Sequence, residues 1–391
     1  MAPTTRAMRA RAAASADRLP PDALFHTLVR LPARDLCRLR AVCRSWRALT
    51  SDPLFVRAHA AAHRGPLLVA KFRDDPTGVY VLDLAGNVLK RIAGAADTGL
   101  HVLCARLDLA CLATDWNRCR VLNPATGAVQ ILPQGPAPEH RHRVNLATPY
   151  TFFALGLVAA TGEYKVFRMF NRLEQVFEVL TVSRSSSTGQ SQSCWRAMPK
   201  PSFFIQAFTG VVVDAVIYFL ISRSYLHVSH TDARARPDYI MSFDLEREEW
   251  RRGLTGPVGG EIIASGEGVL SDNYRLDLAE LKGSLVLVYK RLQQLTFVME
   301  LWFLNDFENG LWEKEYTIQI QHQLVVTAAN TFLNYLKTVL VLDDGRLVIY
   351  DARAGHLVIG DPRSSYFAPV METARPLDSL GIYTGSLLSL Q

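Results

Sequence analysis

The stretch VYVLDLAGNVLKRI, residues 79–92, reads as two short apolar strands hinged at an acid and a glycine. Valine, leucine and tyrosine suit a pleated surface, and Asp with Gly supplies the backbone freedom of a tight turn. Five other stretches repeat that plan: CRVLNPATGAVQIL at 119–132, FEVLTVSRSSSTGQSQSCWRAM at 177–198, IMSFDLEREEWRRG at 240–253, ELWFLNDFENGLWEKEYTI at 300–318 and LVIYDARAGHLVIG at 347–360. Aligned on Asp83, Asn123, Val182, Asp244, Asn305 and Asp351, they lie 40, 59, 62, 61 and 46 residues apart. Such a unit cannot bury its apolar face alone, so copies must stack, and propeller blades recur at about 40 to 50 residues plus loop insertions.

Two further strands precede most copies. TFFALGLVAATGEYKVFRMF turns at Thr161 and Gly162, VVVDAVIYFL at Asp214, and RLDLAELKGSLVLVYK at Lys282 and Gly283, which gives four strands per unit. Trp195, Trp250 and Trp312 fall near the start of the last strand of their units, where packing between neighbouring blades is the expected role. The pattern predicts about six to seven blades. The first unit offers LLVAKF, VYVLDL and NVLKRI, one strand fewer than its neighbours, whereas the last reads as complete at HLVIG. The surplus GIYTGSLLSL, residues 381–390, is therefore expected to join the first blade, burying Leu387, Leu388 and Leu390 and closing the ring.

Ahead of this β region lies a block of a different period. Leu24, Leu28 and Leu31 recur at helical spacing after Pro20 and Pro21 until Pro32 interrupts. Leu36, Leu39, Val42 or Cys43, Trp46 and Leu49 then repeat every three or four residues, and a third short segment follows Asp52. Three helices in so few residues bury little surface, so the block calls for a partner.

Charge separates the two regions. Residues 1–66 hold 12 Arg, no Lys and 4 Asp, a net of +8, so within a total of +6 the remainder sums to −2. A large domain that is not basic argues against nucleic acid as its ligand. The longest apolar run, residues 210–222, contains Asp214 and falls short of the roughly 20 residues that span a bilayer. Six cysteines without a CxxC pair suggest free thiols in a reducing compartment, the cytoplasm or nucleus. The opening 1–17 reads as a disordered basic tail.

The stretch LPPDALFHTLVRLPARDLCRLRAVCRSWRALTSDPLF, residues 19–55, resembles the F-box. In that family the module docks on a Skp-type adaptor that joins it to a cullin ubiquitin ligase. The resemblance carries the adaptor contacts onto Leu19, Pro20, Leu24, Leu28, Leu31, Pro32, Leu36, Leu39, Val42, Cys43 and Trp46, within an F-box spanning 18–60. His26 and Thr27 stand where the family often has Glu-Ile. Residues 67–391 resemble the F-box-associated, kelch-like β-propeller of plants, on NPATG (123–127), ALGLVAATGEYKVFRMF (154–170), ELKGSLVLVY (280–289) and 300–318. The implied fold is a small all-α F-box of three helices followed by an all-β propeller.

The sequence offers little for catalysis. His59 and His63 lie one helical turn apart, but Ala60 stands where a zinc protease needs its glutamate. The histidines at 140–142 and 227–230 read as solvated or partner-facing, and Glu248 with Glu249 as a solvated turn. No cofactor, metal or membrane is expected. The resemblance implies a substrate receptor that works by proximity; a non-degradative binding protein is the alternative, and a propeller hydrolase would need a cluster of acids or metal ligands at its channel. For the unknown protein substrate, the irregular segments 134–149, 183–193 and 222–238 are candidates, with Arg223, Tyr225, Arg234 and Arg236 offering interface residue types.

Overall fold

The computed structural model describes residues 20–384 apart from 32, 64, 96–98, 107, 115–116, 143–150, 171–173, 183–193, 224–235, 267–270, 272, 294–295, 322–334, 365 and 370–374. Two compact units emerge, residues 1–65 with 385–391 and residues 66–384. The basic tail lies outside the described residues.

Among the described residues the first unit holds helices α1 Pro21–Leu28, α2 Ala33–Leu39, α3 Arg44–Ser51 and α4 Pro53–Ala62. The expected second helix is split because Cys43 is extended, at φ −158° and ψ 167°, and starts α3 afresh. Asp52 then caps α4 by accepting the Leu54 amide at 2.7 Å. Leu28, Leu36 and Phe55 form the interior, and Phe25 meets the Phe55 ring edge-on at 5.1 Å.

The second unit consists of six antiparallel sheets, so the propeller has six blades. Blade 1 orders its strands β25 Leu377–Tyr383, β1 Leu67–Phe72, β2 Val79–Leu82 and β3 Val88–Ile92. Blade 2 holds β4 His101–Arg106, β5 Leu109–Ala113, β6 Cys119–Leu122 and β7 Val129–Ile131; blade 3 holds β8 Thr151–Val158, β9 Glu163–Phe170, β10 Val176–Val182 and β11 Arg196–Met198. Blade 4 holds β12 Val211–Val213, β13 Val216–Leu220, β14 Tyr239–Asp244 and β15 Glu249–Trp250, with β16 Leu254–Thr255 also on β14, and a short helix α5 Gly259–Ala264 follows. Blade 5 holds β17 Tyr274–Leu281, β18 Ser284–Gln293, β19 Thr296–Asp306 and β20 Leu311–Gln321; blade 6 holds β21 Leu336–Val341, β22 Leu347–Asp351, β23 His356–Asp361 and β24 Tyr366–Pro369. The first strands face the axis: β25 packs on β4, β4 on β8, β8 on β12, β12 on β17 and β17 on β21.

The core lies between blades. Separate apolar clusters join blades 2 and 3, 3 and 4, 4 and 5, 5 and 6, and 6 and 1. A blade covered on both faces needs apolar side chains on both, which explains why β13 and β14 are buried throughout rather than alternating. The tryptophans bridge blades as expected. Each indole Nε1 donates to a carbonyl just past the fourth strand of the preceding blade: Trp195 to Pro133 at 2.7 Å, Trp250 to Pro199 at 2.7 Å, and Trp312 to Thr255, within β16, at 3.0 Å. The inner hairpins also form as read, with positive φ at Asp214 and Ala215 and at Lys282 and Gly283.

The ring closes through the chain's two ends, but the strand is displaced from the predicted segment. β25 pairs with β1 from Leu67↔Tyr383 to Phe72↔Leu377, so it begins before Gly381 and ends before Leu387, Leu388 and Leu390, which lie outside the described residues. The sixth repeat was also misaligned. Asp83, Asn123, Val182, Asp244 and Asn305 mark the turn between the third and fourth strands of their blades, whereas Asp351 lies between the second and third. The equivalent turn residue is Asp361, so HLVIG belongs to a third strand and the blade continues to Pro369. The cause is local: the carboxylates of Asp351 and Asp361 each accept a backbone amide two residues on, a turn chemistry that serves any hairpin.

Candidate docking sites

On the helical unit the expected adaptor contacts divide by exposure. Leu28 and Leu36 are 2% and 0% exposed and hold the helices together. Leu24, Leu31, Leu39 and Trp46 are half-buried against them, while Pro20, Val42 and Cys43 are exposed. Leu19 and Pro32 lie outside the described residues. Val42 is accessible because the chain leaves the helix there, and Leu54, which periodicity did not single out, is 65% exposed at the start of α4. Its signal in the sequence was its place just after a capping Asp, where a side chain projects from the first turn. His26 and Thr27 are exposed on α1.

The histidine pair is structural in its contacts. His59 Nε2 lies 2.9 Å from the Leu31 carbonyl, and the His59 ring stacks on His63 at 4.1 Å. Burial pushes the His59 imidazole below its ordinary value, an effect that the Leu31 bond opposes and His63 reinforces. Among the described residues no three His, Cys, Asp or Glu side chains converge to hold a metal, and no helix is long and apolar enough to cross a membrane.

Two polar groups read as solvated, His140 and Glu248, are engaged instead. His140 is buried, its Nδ1 2.7 Å from Glu178 Oε1, and Glu178 also carries the buried Arg168 guanidinium. Glu248 reaches from blade 4 to Lys165 and Arg196 of blade 3, with Lys165 Nζ at 2.8 Å. A turn residue was visible in the sequence; the cations facing it from the next blade were not.

Of the loop candidates, Tyr225 and Arg234 lie outside the described residues, as do His227 and His230. Arg223 lies over the Tyr274 ring at 4.6 Å and donates to the Ser271 carbonyl at 2.6 Å, lining a cavity of about 200 Å³. Arg236 sits beside the buried Asp238, its Nε 3.4 Å from Oδ1, and does not line that cavity.

The propeller channel forms a cavity of about 290 Å³, to which all six inner strands contribute. Its walls carry four charged side chains, Asp277, Glu280, Lys290 and Lys337, among apolar ones such as Leu103, Phe208 and Val339. Lys290 is fully buried, pairs with Asp277 and donates to the Leu336 carbonyl. Tyr350, opposite Lys337 in the β21–β22 ladder, has its phenol pushed up to about 12 by burial and donates to the carbonyls of Leu377 and Asp378. The sequence reading missed this site, although a lysine inside the largely apolar strand LKTVLV marks it.

Residues 99–359, more than half of the chain, match the F-box associated beta propeller domain, and residues 16–60 match the F-box-like model. The chain belongs to the F-box associated β-propeller family. An Arabidopsis thaliana F-box/LRR-repeat protein is 23% identical over 347 residues, covering 85% of this chain and 74% of its own. The Arabidopsis thaliana F-box protein CPR1 is 24% identical over 392 residues, covering 93% and 90%. Among solved structures, the Cps50 (Swd1) β-propeller domain of Myceliophteria thermophila covers 78% of this chain and 85% of its own, at 10% identity and a TM-score of 0.39, too loose a likeness to bear on binding. In this F-box propeller the family match starts after β1–β3 and ends before β25, so the composite first blade lies outside it.

Proposed function

We propose that this chain is a substrate-recognition subunit of a Skp-cullin-F-box ubiquitin ligase, its F-box docking a Skp-type adaptor and its propeller holding the protein substrate. The observation that carries the reading is the coexistence of an F-box match at 16–60 and a separately compact propeller at 66–384 in one chain. F-box and propeller families are typically non-enzymatic adaptors. The mechanism is then proximity: a tethered substrate lysine meets a ubiquitin-charged enzyme at high effective concentration, and no residue of this chain performs chemistry. Free thiols at Cys37, Cys119 and Cys194 support a reducing setting, the cytoplasm or nucleus.

One observation favours a second reading, a propeller that recruits or sequesters a partner without degrading it: the exposed His26 and Thr27 present neither an acid nor an aliphatic side chain to the adaptor. Co-purification separates the two. Full-length protein is expected to carry a Skp-type adaptor and cullin with it, and the double variant Pro20→Ala, Val42→Asp to lose at least tenfold of the adaptor while keeping its melting temperature. Both positions are exposed, so undiminished adaptor recovery by the variant, or none by the parent, refutes the ligase reading.

A further inference from the structure

Three of the four charged groups that line the propeller channel are engaged within the fold. Asp277 and Lys290 pair with each other, and Glu280 Oε1 accepts the Gly283 amide at 3.0 Å. Lys337 differs. Its side chain is open to the bore, and among the described residues its Nζ has no hydrogen-bond or ion-pair partner. The Lys337 side chain is exposed to the bore and lacks a contacting counter-charge. The protein packed around it pushes the ammonium below the ordinary lysine value; Asp277 pulls it back up, and Lys290 pushes it further down.

Apolar side chains of the same cavity are unusually exposed. Phe208 and Leu103, lining the same cavity, are 62% and 41% exposed in a domain whose inter-blade side chains are almost all buried. An exposed phenyl ring and an unmatched ammonium are both better covered than left in water. A ligand presenting a carboxylate next to an apolar side chain covers both at once.

We infer that the channel binds an acidic peptide segment of the substrate, Lys337 pairing with a carboxylate while Phe208 and Leu103 cover an adjacent apolar side chain. This rests on the reading of the propeller as a substrate receptor and names the chemistry of what it holds. Local charge selects the class: two cations and two acids line the cavity, and only one cation is unengaged. A carboxylate carries the single charge that Lys337 matches, whereas a phosphate near −2 would also face Asp277 and Glu280. At about 290 Å³ the cavity sits at the small end of ligand pockets, so one or two side chains enter and the rest of the partner stays at the mouth.

The test uses the full-length chain without adaptor and three labelled, end-blocked probes: Ala-Ser-Leu-Glu-Leu-Ser-Ala, the same peptide with Gln for Glu, and the same with phosphoserine for Glu. Anisotropy is expected to show the Glu peptide binding at least tenfold more tightly than the other two. Lys337→Met should erase that preference without lowering the melting temperature, and Lys337→Arg should retain it. Trace acetylation read by mass spectrometry should find Lys337 protected by the Glu peptide and not by the Gln peptide, which tests the site in the parent protein even if the Met variant misfolds. Equal binding of Glu and Gln peptides, tighter binding of phosphoserine, no binding of any probe, or an unchanged preference in Lys337→Met overturns the inference. Adaptor capture is scored separately, so loss of the ligase reading leaves this result intact, and failure here leaves adaptor capture intact.

Discussion

Glu248 shows how a single side chain can be placed correctly by sequence and still be misread. Its position in a turn follows from the Asp244 turn signal, and φ of +58° confirms a tight bend. The reading of a solvated acid failed because Lys165 and Arg196 arrive from another blade, and no local pattern announces a contact made 83 and 52 positions away. Burial pushes the Glu248 carboxyl up, but the bonds from Arg196 and Lys165 more than offset it and hold it below its ordinary 4.5. A carboxyl depressed in the folded state contributes fully above its unfolded value and loses that contribution as pH falls through its folded value. Glu248→Gln should therefore cost about 1 kcal/mol at neutral pH, the scale of a partly screened charge-assisted pair. The gap between variant and parent should close as pH falls below about 4.5. Denaturant midpoints measured across that range decide it; a pH-independent gap would mean that Glu248 acts through packing alone. The tryptophans were legible for the opposite reason. Their repeat position identified the blade edge, although the carbonyl each one binds belongs to the preceding unit and could not be read.

At the level of elements, hairpins were easy and their order was hard. Asp214, Ala215, Lys282 and Gly283 take the positive φ that a two-residue hairpin requires, so the inner pairs of blades 4 and 5 were visible from turn residues alone. Blade 6 went out of step because Asp351 and Asp361 both build the same local turn, and only pairing across the sheet distinguishes them. The closing strand was anticipated from a missing partner for β1, yet its limits were not, since LDSLGIY alternates buried with half-buried side chains and carries no acidic turn to bound it. The corrected limits sharpen a truncation test. A chain stopped after Thr384 keeps every pair in β25 and should keep its melting temperature. A chain stopped after Pro376 loses β25, the Ser379 Oγ bond to the Val102 amide at 2.9 Å, and the His101–Asp378 pair, and it exposes the edge of β1. It should melt earlier and aggregate. Identical melting of the two truncations would place the closure elsewhere.

For the molecule as a whole, the division into an arginine-rich helical block and a near-neutral β region was plain from charge and period, and two compact units follow it. What the sequence could not expose was the channel, because its lining comes from all six blades and meets only once the ring closes. If the units fold independently, residues 66–384 alone should unfold in one cooperative transition, retain the peptide preference expected of the channel, and fail to capture the adaptor. Expressed in cells, this fragment should slow loss of the substrate. Scanning calorimetry and substrate half-life check both points, and faster substrate turnover would contradict the division of labour.

The pairing of Leu67 with Tyr383 has a consequence for how the protein is made. On the ribosome β1 emerges before the other five blades, yet its inner neighbour β25 emerges only after them. Long-range pairing of this kind is slow and leaves strands unpaired meanwhile. Every nascent chain thus passes through a stage in which the helical unit and most blades have emerged while the ring is still open. A message cut short before β25 is made yields a product locked in that stage, its channel unfinished. The closing strand works as a check on synthesis of the propeller, since only a chain translated through Tyr383 can finish the ring.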